Sequence, residues 1–171
     1  MYLLPKPKTI KEQDGQMLLC HSTHIVMTKE VAETEMHAAK RLQEAIRQET
    51  GLILPFSVGE VREGDLSLGI AKTLPEQTYE ITIDEKGGQI SGGDGAGVLY
   101  GVETFCQIVQ QCGGILPCVQ IQDAPDMPNR GYYFDQTRGR VLKLEELKKI
   151  ADRRDHDRRK RRTDFRRRRG W

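Results

Sequence analysis

The hydrophobic period of this chain stops at Asp152. Before that point, apolar residues recur at helix or strand spacing. From Arg153 onward only Phe165 and Trp171 are large apolar or aromatic residues. A segment with no apolar face has nothing to bury, so the foldable part is confined to roughly the first 152 residues. The charge changes at the same place. Residues 1–150 hold 16 Lys and Arg against 21 Asp and Glu, a net of −5. Residues 151–171 hold 11 against 4, a net of +7, with ten of the basic residues being arginine. The whole-chain value of +2 conceals the split. The 171 residues therefore read as an acidic body of one-domain size followed by a basic segment of different composition.

Several classes drop out early. No apolar run approaches the roughly 18 residues of a transmembrane helix. The N-terminus reads MYLLPKPK, with two prolines and two lysines by position 8 and no apolar stretch after them. That speaks against a secretory signal peptide. Cys20, Cys106, Cys112 and Cys118 form no CxxC pair and fit no zinc module. They read as small buried apolar residues of a reduced protein, and the expected setting is cytoplasmic. His21, His24 and His37 are too loosely placed to argue for a metal site, and no motif asks for a cofactor.

The first 120 residues alternate between short strands and two helices. Strands are expected at 16–20 (QMLLC), 24–28 (HIVMT), 66–71 (LSLGIA), 78–84 (TYEITID) and 115–121 (ILPCVQI). In the fourth, Tyr79, Ile81 and Ile83 fall on one face. Glu85-Lys86-Gly87-Gly88 reads as a hairpin turn, with the return strand beginning at Gln89–Ser91. Residues 31–50 have a helical period through Val31, Ala39, Leu42, Ala45 and Ile46, and Gly51 stands where a helix stops. Residues 96–111 carry a stronger stripe through Val98, Val102, Phe105 and Val109. After Asp123-Ala124-Pro125-Asp126-Met127-Pro128, an extended linker, the pattern restarts. GYYF at 131–134 reads as a strand, and 143–151 as a helix with Leu144, Leu147 and Ile150 on one face. Strand, loop, helix is the first unit of a β/α architecture, and one unit cannot close a sheet.

One motif invites a functional reading. Ser91-Gly92-Gly93-Asp94-Gly95-Ala96-Gly97 joins a strand to a helix, where phosphate-binding loops sit. The spacing fails both G-x-G-x-x-G and G-x-x-x-x-G-K-[ST]. The expectation is a tight turn needing positive φ and close packing, and Gly101 fits a helix lying close on a sheet.

Together these residues resemble glycoside hydrolase family 20, the β-N-acetylhexosaminidases. Four pieces carry the resemblance: YEITI at 79–83, GDGAGVLYGVETFCQIVQQ at 93–111, LPCVQIQDAPDMPNRG at 116–131, and FDQTRGRVLKLEELKKIAD at 134–152. LLPKPK at 3–8 is similar to the family's opening strand. The resemblance implies an α+β fold: a mixed β-sheet with helices packed on one face, followed by the first β/α unit of an incomplete TIM barrel. It divides the chain into an accessory domain at 1–124, the barrel start at 125–152 and the basic segment at 153–171.

The resemblance also implies chemistry. The family removes terminal β-linked N-acetylglucosamine or N-acetylgalactosamine, and the substrate's own acetamide oxygen attacks the anomeric carbon. Arg130 matches the family's sugar-binding arginine at the start of the first barrel strand. A guanidinium presents several fixed donors, suited to vicinal hydroxyls. Pairing with Asp126 or Asp135 is the plainer role for it. Asp135 and Arg138 match positions near the barrel mouth and read as structural neighbours of the sugar site. The family's catalytic Asp-Glu pair lies on a later strand that this sequence lacks. Asp84-Glu85 is adjacent in the same way, but it sits at a hairpin tip, where neighbouring side chains point to opposite faces and no pocket raises a Glu pKa.

A barrel needs about 250 residues. The expectation is thus a truncated or frame-shifted piece of a hexosaminidase, inactive by itself, whose longer relatives act on glycans ending in N-acetylhexosamine. The competing reading is a binding module whose basic segment grips nucleic acid through phosphates. The acidic body and scarce aromatics weaken it. A free-standing sugar-binding domain using Arg130 alone is the third.

Overall fold

A computed structural model describes residues 1–28, 33–127, 129 and 143–148. The chain divides between Asp126 and Met127. The first unit holds β1 (Thr9–Leu18), β2 (Ile25–Met27), α1 (Glu33–Thr50), β3 (Phe56–Val58), β4 (Leu66–Ile70), β5 (Tyr79–Asp84), β6 (Gly87–Gly92), α2 (Gly95–Cys112) and β7 (Ile115–Asp123). In the second unit, residues 144–148 form a helical turn, inside the helix expected at 143–151. The strand expected at 131–134 lies outside the described residues.

The seven strands make one mixed sheet in the order β1-β7-β5-β6-β4-β2-β3. The β1/β7, β7/β5 and β5/β6 pairs are antiparallel, while β6/β4, β4/β2 and β2/β3 are parallel. Parallel neighbours need a crossover. α1 supplies the one from β2 to β3. α2 carries the chain from β6 over β5 to β7. The two helices pack on each other, and α2 lies across β4 to β7, so both cover the same face. This is the α+β sheet with one helical face that the sequence led us to expect.

The strand pattern follows from that cover. Along β5, Tyr79, Ile81 and Ile83 are buried under the helices, while Glu80 and Thr82 are half-buried and Asp84 is exposed. In α1, Ala38, Ala39, Leu42 and Ile46 face the core, and Gly51 ends the helix by donating its N–H to the Arg47 carbonyl. In α2 every residue from Gly101 to Val109 is buried. At Gly101 a Cβ would lie 2.6 Å from Ile90 Cγ2, so the bare backbone lets the helix settle onto β6.

Three expectations need correction, and one strand, β3, is not announced by the sequence. The first strand runs over 9–18 instead of 16–20. Its first half is a charged, exposed edge with a register break between Glu12 and Gln16, so no apolar alternation announces it. LLPKPK is not itself a strand. Pro5 and Pro7 lack the N–H a ladder needs, and this segment instead lies along α2, where the Gln107 and Gln111 side chains bond the backbone of Leu4 and Tyr2. β3 has only three residues, too few for a period. The hairpin turn is two residues, Glu85-Lys86, with Gly87 and Gly88 already paired to Asp84 and Ile83. Asp84 Oδ1 accepts the Lys86 N–H at 2.8 Å and closes that turn from its own side chain.

Candidate functional site

The glycine-rich turn is filled by the protein itself. Asp94 caps α2: its Oδ1 accepts the Gly97 N–H at 2.7 Å and the Gln77 N–H at 3.0 Å. A Cβ at Gly93 would collide with the Pro75 carbonyl, and one at Gly97 with the Thr78 carbonyl. The Gly93 N–H is bonded to Thr78 O at 2.9 Å. A carboxylate and two carbonyl oxygens thus occupy the space a phosphate needs, and they repel an anion at the helix start. The turn is a packing device, but none of its glycines has the positive φ expected of it; close backbone approach alone demands Gly93 and Gly97.

Asp84 and Glu85 stand at the β5/β6 hairpin, both exposed. Beside them the open face of the sheet carries a shallow depression of about 190 Å³, lined in part by Ser67, Thr82, Asp84, Lys86 and Gln89. Pockets that enclose small molecules run to about 300–1,000 Å³ and are mostly apolar. Nothing here desolvates Glu85, so nothing equips it as an acid catalyst. Cys118 lies beneath, only 2 % exposed. Burial pushes its thiol pKa up, and the charges of Glu85 and Asp84 add to the shift.

The loop after β1 gathers Cys20, Ser22, Thr23 and His24. Cys20 Sγ is 3.0 Å from Ser22 Oγ, and hydrogen bonds from Ser22 and then Thr23 draw its thiol pKa down. His24 Nδ1 is 2.9 Å from the Ser22 carbonyl oxygen and 3.6 Å from Asp65 Oδ1. Among the described residues no group of three or more His, Cys, Asp or Glu side chains is placed to hold a metal ion, and His21 and His37 stand exposed.

Three buried polar groups escaped the sequence reading. Asp65 is 3 % exposed and accepts the His24 N–H at 2.9 Å and the Arg62 N–H at 2.8 Å, tying the loop before β4 to β2. Glu103 is 6 % exposed and is met by Arg41, with Nε 2.7 Å from Oε1. That pair joins α1 to α2. Tyr79, buried at the start of β5, places its hydroxyl 2.7 Å from Thr104 Oγ1 and 3.3 Å from Asp123 Oδ2. Glu103 did leave a signal: it is the sole charged residue in the 18 of α2. Arg130, Asp135 and Arg138 lie outside the described residues.

Among the described residues, the Asp84-Glu85 pair stands exposed on its hairpin and the glycine-rich turn is filled by the protein's own backbone. The model of glycosyl hydrolase family 20, domain 2, matches residues 1–124. The chain belongs to that family. This family 20 chain is 29 % identical over 162 residues to a β-hexosaminidase of Porphyromonas gingivalis, covering 88 % of the chain and 20 % of the relative. It is 28 % identical over 156 residues to a β-hexosaminidase of Vibrio furnissii, covering 90 % and 24 %. Among solved structures, the N-acetyl-β-hexosaminidase of Streptomyces plicatus superposes with a TM-score of 0.76 at 22 % identity, over 88 % of this chain and 31 % of that one. A family 20 exo-β-N-acetylglucosaminidase of Vibrio harveyi gives 0.75 at 21 %, over 91 % and 24 %. The chain spans about a fifth to a quarter of the length of the curated relatives it matches.

Proposed function

We propose that this chain serves as the non-catalytic α+β domain that accompanies the sugar-cleaving part of a β-N-acetylhexosaminidase. The observation that carries the reading is the match of residues 1–124 to domain 2 of family 20, taken with the fate of the one Asp-Glu pair in the sequence. That pair sits on an exposed hairpin with no enclosing pocket. The domain's work is architectural: it buries its own helices and presents the β7 exit from which the chain continues toward Arg130.

The substrate class of the whole enzyme is a glycan ending in β-linked N-acetylhexosamine. The relatives carry the name β-hexosaminidase, and the Vibrio harveyi enzyme has been solved in complex with N-acetylglucosamine. In that setting Arg130 donates to ring hydroxyls of the terminal sugar, with Asp135 and Arg138 shaping its surroundings. A guanidinium alone holds a sugar weakly, because water competes for every donor. The test is hydrolysis of a chromogenic N-acetyl-β-glucosaminide together with a titration by N-acetylglucosamine. We expect no turnover and no saturable binding at millimolar sugar. Turnover by the pure chain overturns the proposal.

A further inference from the structure

Strand β7 leaves the sheet at Asp123, and distant parts of the chain meet it there. On the inner side, the hydroxyl of the buried Tyr79 reaches Asp123 Oδ2 at 3.3 Å. On the outer side, the backbone N–H of Lys8 donates to Asp123 Oδ1 at 3.3 Å. The Lys8 ammonium then reaches past it to Asp126 Oδ1 at 3.2 Å. Lys8 therefore grips both acidic residues of the segment, one through its backbone and one through its side chain. The side chains of Lys8 and Asp126 are 45 % and 29 % exposed, so solvent ions reach this pair, whereas the Tyr79 contact is part-buried.

We propose that Lys8 is an ionic latch on the β7 exit. Asp123 is fixed from inside by Tyr79 whatever the salt. Residues 124–126 are held against the start of β1 by the Lys8–Asp126 pair, and this hold weakens as ionic strength rises. Its purpose rests on the function proposed above, since this segment leads toward Arg130. Lys8 is thus a positioning residue for the path of the chain and touches no substrate.

Hydrogen–deuterium exchange on the full chain tests the latch. A half-exposed ion pair is a modest hold. At low salt, Lys8→Met is expected to speed exchange in a peptide spanning Asp123–Met127 by about threefold. Peptides from β5 and α2 should stay unchanged, and Lys8→Arg should restore the slow rate. Raising salt should speed the same peptide more in the wild-type chain than in the Met variant. An unchanged Asp123–Met127 peptide, a uniform acceleration across β5 and α2, or the same salt response in both proteins overturns the latch. Sugar turnover by the chain bears only on the function and leaves this result standing.

Discussion

Glu103 sits in the buried middle of α2, and Arg41 reaches it from α1 with a half-exposed side chain. Removing one partner of a buried pair leaves a carboxylate without its charge-assisted bonds, which costs more than the pair contributes. Arg41→Met should therefore lower unfolding free energy by about 1–3 kcal/mol in urea. A change under about 0.3 kcal/mol would mean water already satisfies Glu103. The four thiols divide in the same residue-level way. Cys20 and Cys112 are only half-buried, against the burial expected of them, and Cys20 has a lowered pKa, whereas Cys106 and Cys118 are buried, the latter with a raised pKa. A thiol reagent at neutral pH should label Cys20 first and Cys118 only on unfolding, because the thiolate reacts. Equal rates would contradict the buried placement. The burial of Cys106 and Cys118 was legible from the apolar patterns around them. The hydrogen bonds of Cys20 were not, because they depend on how one loop folds back on itself.

The same contrast holds among the elements. β5 and α2 could be read nearly to the residue, since each buries one face and repeats with its own period. β1 and β3 could not, since one is a charged edge strand and the other is three residues long. Asp94 holds the α2 start through the N–H groups of Gly97 and Gln77. Asp94→Ala should cost about 1–2 kcal/mol, read from the urea midpoint. Gly101→Val should cost a similar or larger amount by forcing α2 off Ile90. A neutral Asp94→Ala would contradict the cap, and a neutral Gly101→Val would contradict the close approach. On α1, bonds from Arg47 and then Gln48 pull the Glu44 carboxyl down to about 2. A lowered carboxyl pKa adds stability above the unfolded value of 4.5, and that share is lost as pH falls toward 2. Glu44→Gln should therefore make the acid limb of the stability curve shallower. A steeper limb would reverse the sign of the argument.

At the scale of the whole molecule, the sheet order was beyond the sequence. Hydrophobic period fixes which face a strand buries, but not which strand lies beside it. β7 sits between β1 and β5, and only the crossover of α2 puts it there. What could be read was the family, because glycine, tyrosine and asparagine–arginine signposts come at set spacings along 93–131. The candidate site could be read only as a set of residue types. Arg130, Asp135 and Arg138 fall beyond the first unit and outside the described residues. On the function proposed above, this family 20 chain is the non-catalytic domain of a larger hexosaminidase. The most direct test measures release of chromophore from an N-acetyl-β-glucosaminide by the purified chain, beside a full-length family 20 hexosaminidase at equal concentration. The account predicts rapid release by the full-length enzyme and none above the buffer blank by this chain. Release by this chain that disappears in Glu85→Gln would contradict it.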